Sequence, residues 1–156
     1  MKKKIFTLLI LIMITISWAQ SDHNLGLAVG VASGAGFSYR HYNDTFGYQV
    51  NFVAIGTKEN FYIPIGVKTL RLFHNIRFSK AYYFAASSVL LDIGTESEND
   101  PIFSIGGGIG MEYTIKGNLK FSLDLPLTIV DIFKTSSDEN RMVIFPIPEI
   151  SLYYNF

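Results

Sequence analysis

Three histidines are the residues of this chain best suited to proton transfer near neutral pH. They are His23, His41 and His74. A histidine next to a serine and a carboxylate is a common arrangement for nucleophilic catalysis. His41 and His74 fall beside predicted turns, and neither has a serine and a carboxylate at a matched depth on the next predicted strand. We therefore predict that the histidines are solvated turn residues and that the chain has no catalytic site.

Two other motifs resemble ligand-binding loops only in part. Residues 95–100 read Thr-Glu-Ser-Glu-Asn-Asp, but the glycine and the distant glutamate of a calcium-binding loop are missing. Residues 106–110 read Gly-Gly-Gly-Ile-Gly, but neither a helix nor a lysine follows where a phosphate-binding loop requires them. The chain contains no cysteine, which excludes thiol chemistry and cysteine-based metal sites. We predict neither a metal ion nor a cofactor.

Six charged residues lie on the polar faces of segments in which apolar and polar residues alternate: Arg40, Lys68, Glu112, Lys120, Asp124 and Glu149. The same sides carry many glycines and alanines, including Gly26, Ala28, Gly106, Gly108 and Gly110. Glycine weakens a strand, so a face of this kind is better suited to a crowded interior than to water. Because isolated buried charges are costly, we expect the three bases and three acids to form an interior network of ion pairs.

The segments that carry these charges alternate with a period of two. From Leu119 to Val130, large apolar residues occupy every odd position up to Ile129, and mostly polar residues lie between them. This period is typical of a strand with one apolar and one polar face, whereas a helix would scatter the apolar residues around its axis. Residues 102–115 repeat the pattern, and Lys116-Gly117-Asn118 predicts a tight hairpin turn between the two strands.

Eight such segments predict an all-β fold, an antiparallel up-and-down eight-stranded transmembrane β-barrel. The predicted strands are 24–32, 36–42, 46–55, 61–73, 81–91, 102–115, 119–132 and 142–156, and the facing of 81–91 stays open. The connectors 43–45, 74–80 and 116–118 share one end with both termini. The connectors 32–35, 56–60, 92–101 and 133–141 share the other end, and the last two are long. Irregular pairing is expected at Pro64, Pro126, Pro146 and Pro148.

The N-terminus has the three parts of a secretory signal peptide. Lys2 to Lys4 are followed by an apolar run over residues 5–16 and by Ser17-Trp18-Ala19, with small residues at the two positions that a signal peptidase reads. We predict a signal peptide over residues 1–19 and one barrel domain over residues 20–156. Removing three lysines from 13 basic and 13 acidic residues leaves a net charge of −3. This charge argues against a nucleic-acid partner.

The distribution of polarity distinguishes two kinds of small barrel. A soluble barrel of the lipocalin type faces its apolar side inward, whereas a membrane barrel faces large apolar residues toward lipid and fills its interior with small and polar ones. The small, charge-bearing face and the aromatic residues near strand ends, such as Tyr48, Phe61, Tyr113 and Tyr154, favour the membrane arrangement. Aromatic residues of this kind form belts at both membrane surfaces.

The last strand carries a resemblance to a known group. Residues 149–156 alternate and close on an aromatic pair of the same parity, Tyr154 and Phe156, which resembles the C-terminal signal of outer-membrane barrels. With the signal peptide and the eight strands, residues 20–156 resemble the small OmpA/OmpX-type barrels, without the peptidoglycan-binding domain of larger members. The resemblance implies the outer membrane of a Gram-negative bacterium. It also implies contact with its lipids and lipopolysaccharide, and recognition by the barrel-assembly machinery.

Three function classes follow, and we place them in order. The first is a structural or surface-interaction barrel that acts through its outer loops, is monomeric, and has a packed interior that does not conduct, because eight strands leave room only for side chains. The second is a lipid-modifying enzyme of the lipid A deacylase or acyltransferase type. The third is a soluble periplasmic binder like the lipocalins. We predict the first class, which is not an enzyme.

Overall fold

The computed structural model describes residues 22–56, 60–76, 78–94, 101–132 and 141–156. The predicted signal peptide lies outside this part, as do residues 57–59, 95–100 and 133–140 of three predicted loops. The described chain forms ten strands, which are β1 (Asp22–Val29), β2 (Gly36–Asn43), β3 (Phe46–Phe52), β4 (Ile55–Gly56), β5 (Asn60–Ile76), β6 (Ser79–Gly94), β7 (Ile102–Lys116), β8 (Leu119–Ile132), β9 (Arg141–Phe145) and β10 (Glu149–Asn155). No helix in these ranges has the length and apolar character of a membrane span.

The strands close into a barrel because β10 pairs with both β8 and β1. All pairings are antiparallel, and apart from the closing pair of β1 with β10 they join strands that follow one another closely along the chain. Strands β3 and β4 occupy one position around the barrel, interrupted at residues 53–54, and β9 and β10 occupy another, interrupted at residues 146–148. The ten strands therefore fill eight positions, and the predicted eight-stranded antiparallel up-and-down barrel is confirmed.

The barrel has two distinct ends. The terminal end holds Asp22, Phe156 and the turns at 44–45, 78 and 117–118. Gly117 adopts a positive φ of 57°, as expected of the turn between β7 and β8. The loop end lies opposite, where the chain passes from β1 to β2 through residues 30–35.

One predicted connector differs from the structure, and two bulges occur that were not predicted. The connector over residues 74–80 is instead a short turn, because β5 continues to Ile76 and β6 begins at Ser79. The bulge in this hairpin lies between Leu72 and His74, and a second lies between Thr114 and Lys116. Both lie near turns, where the strands must adjust their register to the connection.

The prediction of irregular pairing at prolines is right for two positions and wrong for two. Pro146 and Pro148 lie in the interruption between β9 and β10, whereas Pro64 and Pro126 are paired in register with Leu90 and Gly108. Proline lacks an N–H donor, and each strand accommodates the loss differently. Pro64 adjoins the interruption at residues 53–54, where its carbonyl accepts a hydrogen bond from Val53 at 3.3 Å. Pro126 faces a glycine, which leaves room for its ring.

Alternation decides which side chains face inward. On β3, Gln49 and Asn51 are buried while Tyr48, Val50 and Phe52 are exposed on the outside. The structure also settles β6, whose facing the sequence left open: Tyr82, Phe84 and Ala86 are buried inside. Gly110 lies opposite Tyr82 in the β6–β7 ladder, and a Cβ at Gly110 would collide with the Tyr82 ring. A glycine at this inward-facing position of β7 therefore makes space for an aromatic residue of β6.

Candidate functional site

The barrel interior holds one continuous chain of charges with alternating sign. Salt bridges join Glu149, Lys68, Asp124, Arg40, Glu112, Lys120, Asp22 and Lys80 in that order, from the loop end to the terminal end. Four bases and four acids balance, so this chain carries no net charge. Such pairing is what a charged interior requires, because each unpaired charge would pay a large desolvation penalty.

Lys68 links the acids nearest the loop end. Its Nζ donates to Asp124 Oδ2 at 2.6 Å and to Glu149 Oε2 at 2.7 Å. The same ammonium lies 4.4 Å from the centre of the Phe84 ring, a distance at which cation–π attraction contributes. The side chains of Lys68 and Asp124 have no exposed surface, so their charges are held entirely by protein groups.

Arg40 is the centre of the network and uses all three guanidinium nitrogens. Its Nη1 donates to Glu112 Oε2 at 3.0 Å and to Tyr82 Oη at 3.0 Å. Its Nε and Nη2 donate to Gln49 Oε1 at 3.0 and 2.6 Å. The Tyr153 ring covers the guanidinium, with its centre 4.5 Å from Cζ. A planar donor with several N–H groups suits this site better than a lysine ammonium could.

At the terminal end of the barrel, the series of charges converges on one carboxylate. Asp22 accepts from Lys120 Nζ at 2.6 Å, from Asn155 Nδ2 at 2.6 Å and from Lys80 Nζ. Lys120 also lies 3.6 Å from Glu112, which continues the chain toward Arg40. Asp22 thus connects β1 to β6, β8 and β10 across the interior.

Residues 30–35 fold into the barrel and close its loop end. The backbone N–H groups of Ala32 and Ser33 donate to Glu149 Oε1 at 2.8 and 3.0 Å, and the Ser33 hydroxyl donates to Oε2 at 2.8 Å. Consecutive N–H groups of this kind form a concavity that favours an anion. Asn51 holds the same segment by donating to the Ser33 carbonyl at 2.7 Å. We call residues 30–35 the inward connector.

The structure brings all six sequence-predicted charges into this network. Arg40 meets Glu112 and Asp124, Lys68 meets Asp124 and Glu149, and Lys120 meets Glu112. Asp22 and Lys80 were not predicted from the sequence, nor were the tyrosines that hydrogen-bond Arg40 or Asp124. The parity of β1 could have revealed Asp22, because it continues the inward series of Ala28, Gly26 and Asn24. No sequence signal distinguished the two faces of β6, which carries Lys80.

The outer surface has the opposite character. Large apolar side chains are exposed on strands around the whole barrel; Leu27 is 56 %, Ile105 61 % and Leu127 60 % exposed. A water-soluble protein rarely exposes so much contiguous apolar area. The barrel therefore has charges inside and hydrocarbon outside.

The predicted C-terminal signal lies on this outer surface. Tyr154 and Phe156 are both exposed on the outside. The Phe156 ring stacks on His23, with centres 6.2 Å apart, and its N–H donates to the His23 carbonyl at 3.2 Å. The last residue of the chain is thus attached to the first strand at the seam of the barrel.

The histidines lie in strands and not in turns, which corrects the sequence interpretation. His23 pairs with His41 across β1 and β2, and their ring centres are 4.6 Å apart. The Nδ1 atom of His23 lies 2.6 Å from Tyr39 Oη. His74 pairs with Ala81 between β5 and β6. Within the described ranges, no three His, Cys, Asp or Glu side chains come together in a way that could hold a metal ion.

Comparison with known proteins adds no family to this description. No protein-family profile matches the chain, and no curated protein sequence matches it either. The class of protein that the structure defines is therefore a closed eight-stranded antiparallel barrel with a paired, charged interior.

Proposed function

We propose that the mature chain is an integral outer-membrane β-barrel with a structural or surface-interaction role through its outer loops. The observation that carries the proposal is the reversed polarity of the barrel. A soluble lipocalin-type barrel places apolar side chains inside. Here the interior holds salt-bridged charges, while Leu27, Ile105 and Leu127 are exposed on the outside. A hydrocarbon environment is the one in which this outer surface would be stable.

The outer membrane of a Gram-negative bacterium is the proposed location. Transmembrane β-barrels belong to outer membranes, and the predicted signal peptide supplies export. The proposed partners are outer-membrane lipids and lipopolysaccharide around the barrel, and the assembly machinery during insertion. We propose a monomer with no nucleic-acid partner.

We further propose that the interior does not conduct ions and that the barrel is not an enzyme. The inward connector and the charge chain occupy the space through which ions would pass. Arg40 and Tyr82 are almost fully buried in the middle of the barrel. The outer loops then remain as the segments through which the protein can act on other molecules.

Fractionation and gel migration test the proposal. The protein should stay with the membrane after a high-salt wash, should be extracted by detergent, and should migrate differently before and after boiling, as a closed barrel does. In planar bilayers, the purified protein should show no stable single-channel current. Recovery of folded protein in the periplasmic fraction without detergent would support the lipocalin-type alternative instead.

A further inference from the structure

The two ends of the interior charge chain differ in how they are closed. At the loop end, Glu149 is 1 % exposed and is enclosed by the inward connector. At the terminal end, Asp22, Lys80, Lys120 and Asn155 line an open cavity of about 560 Å³. A second cavity of about 270 Å³ meets it at Asp22 and Lys80. The charge chain thus ends in a space that is large enough for a small molecule.

Among the three charged side chains at the terminal end, Asp22 is the most accessible to solvent. The Asp22 side chain is 30 % exposed, whereas Lys80 and Lys120 are 14 % and 10 % exposed. Asp22 is also the first residue of β1, and its pairing with Tyr42 is the last in the β1–β2 ladder. Its carboxylate can therefore turn into water without breaking the β1–β2 pairing beyond this residue, although it then gives up its contacts with Lys80, Lys120 and Asn155. The ammonium groups of Lys80 and Lys120 are more enclosed than this carboxylate, so they stay at the cavity when it turns away.

We propose that the terminal-end cavity is a binding site for a compact anion, a phosphate or carboxylate group, and that Asp22 is the internal competitor that this anion displaces. Lys80 and Lys120 would donate to the anion, as they now donate to Asp22. Asn155 Nδ2, which also donates to Asp22, supplies a third donor. Charge-assisted hydrogen bonds of this kind are among the stronger polar contacts in proteins.

The charge of the cavity lining supports an anion over a cation. With Asp22 withdrawn, the charged residues of the larger cavity are Lys80, Lys116, Lys120 and Glu112, a net charge of +2. Glu112 also pairs with Arg40 at 3.0 Å. Its negative charge is therefore shared with Arg40 and cannot fully neutralise the ammonium groups of Lys80 and Lys120. An incoming anion would restore the balance that Asp22 now provides.

Phosphate titration of the folded protein in non-ionic detergent tests the site, with calorimetry as the readout. The wild type should bind inorganic phosphate weakly. D22N removes the competing charge and should tighten binding by about tenfold or more, the factor that corresponds to one charged hydrogen bond. D22S serves as a second variant should D22N fold poorly. Adding K80Q or K120Q to D22N should reverse the gain, whereas adding R71Q should not, because Arg71 lies on the outer surface against Phe46.

Further arms identify the source of the anion and decide the proposal. Glycerol phosphate in solution and phosphatidylglycerol in the micelle carry the same phosphate chemistry, and tighter binding of one over the other identifies a soluble ligand or a lipid headgroup. Heat-modifiable migration of every variant verifies that the barrel is closed. The proposal is overturned if folded D22N and D22S show no saturable phosphate binding, or if K80Q and K120Q leave it unchanged. The assay measures phosphate binding to the purified protein in detergent. Its result therefore does not depend on whether the protein resides in the outer membrane.

Discussion

At the scale of single residues, Arg40 explains how a narrow barrel can contain charge. Its guanidinium has no exposed surface but is surrounded by two acids, Gln49 and a cover of tyrosine rings. The tyrosines contribute in two ways, because Tyr82 and Tyr42 accept hydrogen bonds from Arg40 while Tyr82 also donates to Asp124 at 2.6 Å. The rings of Tyr82 and Tyr42 occupy space that Gly110 and Gly47 on neighbouring strands leave open.

Glu112→Ala should be strongly destabilising. Glu112 accepts from Arg40 and Tyr42, both at 3.0 Å, and pairs with Lys120. Removing it leaves buried cations without their partner, which costs about 3–5 kcal/mol. Urea unfolding of the refolded protein measures the effect, and Thr114→Ala on the same strand and parity is the control. Equal unfolding midpoints for E112A and T114A would show that the network does not contribute to stability.

Leu123→Arg tests the proposed contact with lipid. Leu123 is exposed on the outside in the middle of β8, and an arginine at mid-depth on the lipid face costs about 2–4 kcal/mol. Leu119→Arg, of the same parity at the start of β8, should cost less. Refolding into lipid vesicles measures both. Spin labels at positions 123 and 152 should be quenched by a lipid-soluble relaxant and shielded from a water-soluble one. The reverse accessibility would contradict the membrane proposal.

Residues could be assigned to the interior from the sequence only where the two faces of a strand differ. On β7 and β8 the glycines and charges share one parity, so Glu112, Lys120 and Asp124 were assigned to the interior from the sequence. On β6 the aromatic residues Tyr82, Tyr83 and Phe84 occupy both faces. Tyr82 hydrogen-bonds Arg40 and Asp124 on other strands, whereas Tyr83 is exposed beside Phe73. Lys80 was missed for this reason, since contacts between distant strands leave no local pattern.

At the scale of elements, the inward connector is the feature that was hardest to predict from the sequence. Residues 32–35 look like a short loop of small residues, Ala-Ser-Gly-Ala, and nothing local indicates that they turn into the barrel. The segment is held by distant groups, which are Glu149 on β10 and Asn51 on β3. Gly34 adopts a φ of 75°, a conformation that favours glycine. The small side chains are what allow the connector to enter.

Gly66→Ala should displace the inward connector. A Cβ at position 66 would collide with the carbonyl of Ser33, so the connector must move and Glu149 would lose its backbone donors. Labelling of a cysteine at position 32, where the native alanine is fully buried, should be slow in the parent and fast in G66A. Gly107→Ala is the control, since its added methyl meets only the Phe84 carbonyl at 3.1 Å. Equally slow labelling in G66A would mean that the barrel accommodates the methyl group.

At the scale of the whole molecule, the architecture was predictable because a period of two is a property of each strand by itself. Eight alternating segments with no helix between them have few ways to bury their polar side other than a closed barrel. The contacts at the seam between β1 and β10 could not be predicted from the alternation within single strands. It joins the two ends of the chain through Asn155, which donates to Asp22 and to the carbonyl of His23 at 3.0 Å. These contacts form only when the barrel closes.

The last residue tests whether the closing strand also carries an assembly signal. Phe156 contacts His23 at the seam but remains 42 % exposed, so its ring contributes at most about 1.5–3 kcal/mol to the folded barrel. A closed barrel can tolerate that loss, whereas a signal that the assembly machinery reads cannot be shortened without consequence. Phe156→Ala should therefore sharply reduce insertion in cells and leave refolding into detergent nearly unchanged. Phe121→Ala removes a comparably exposed outer ring from β8 and should affect both assays mildly and equally. If F156A behaves like F121A, with normal membrane levels in cells, Phe156 is an ordinary packing residue and the strongest sequence argument for the outer membrane is lost.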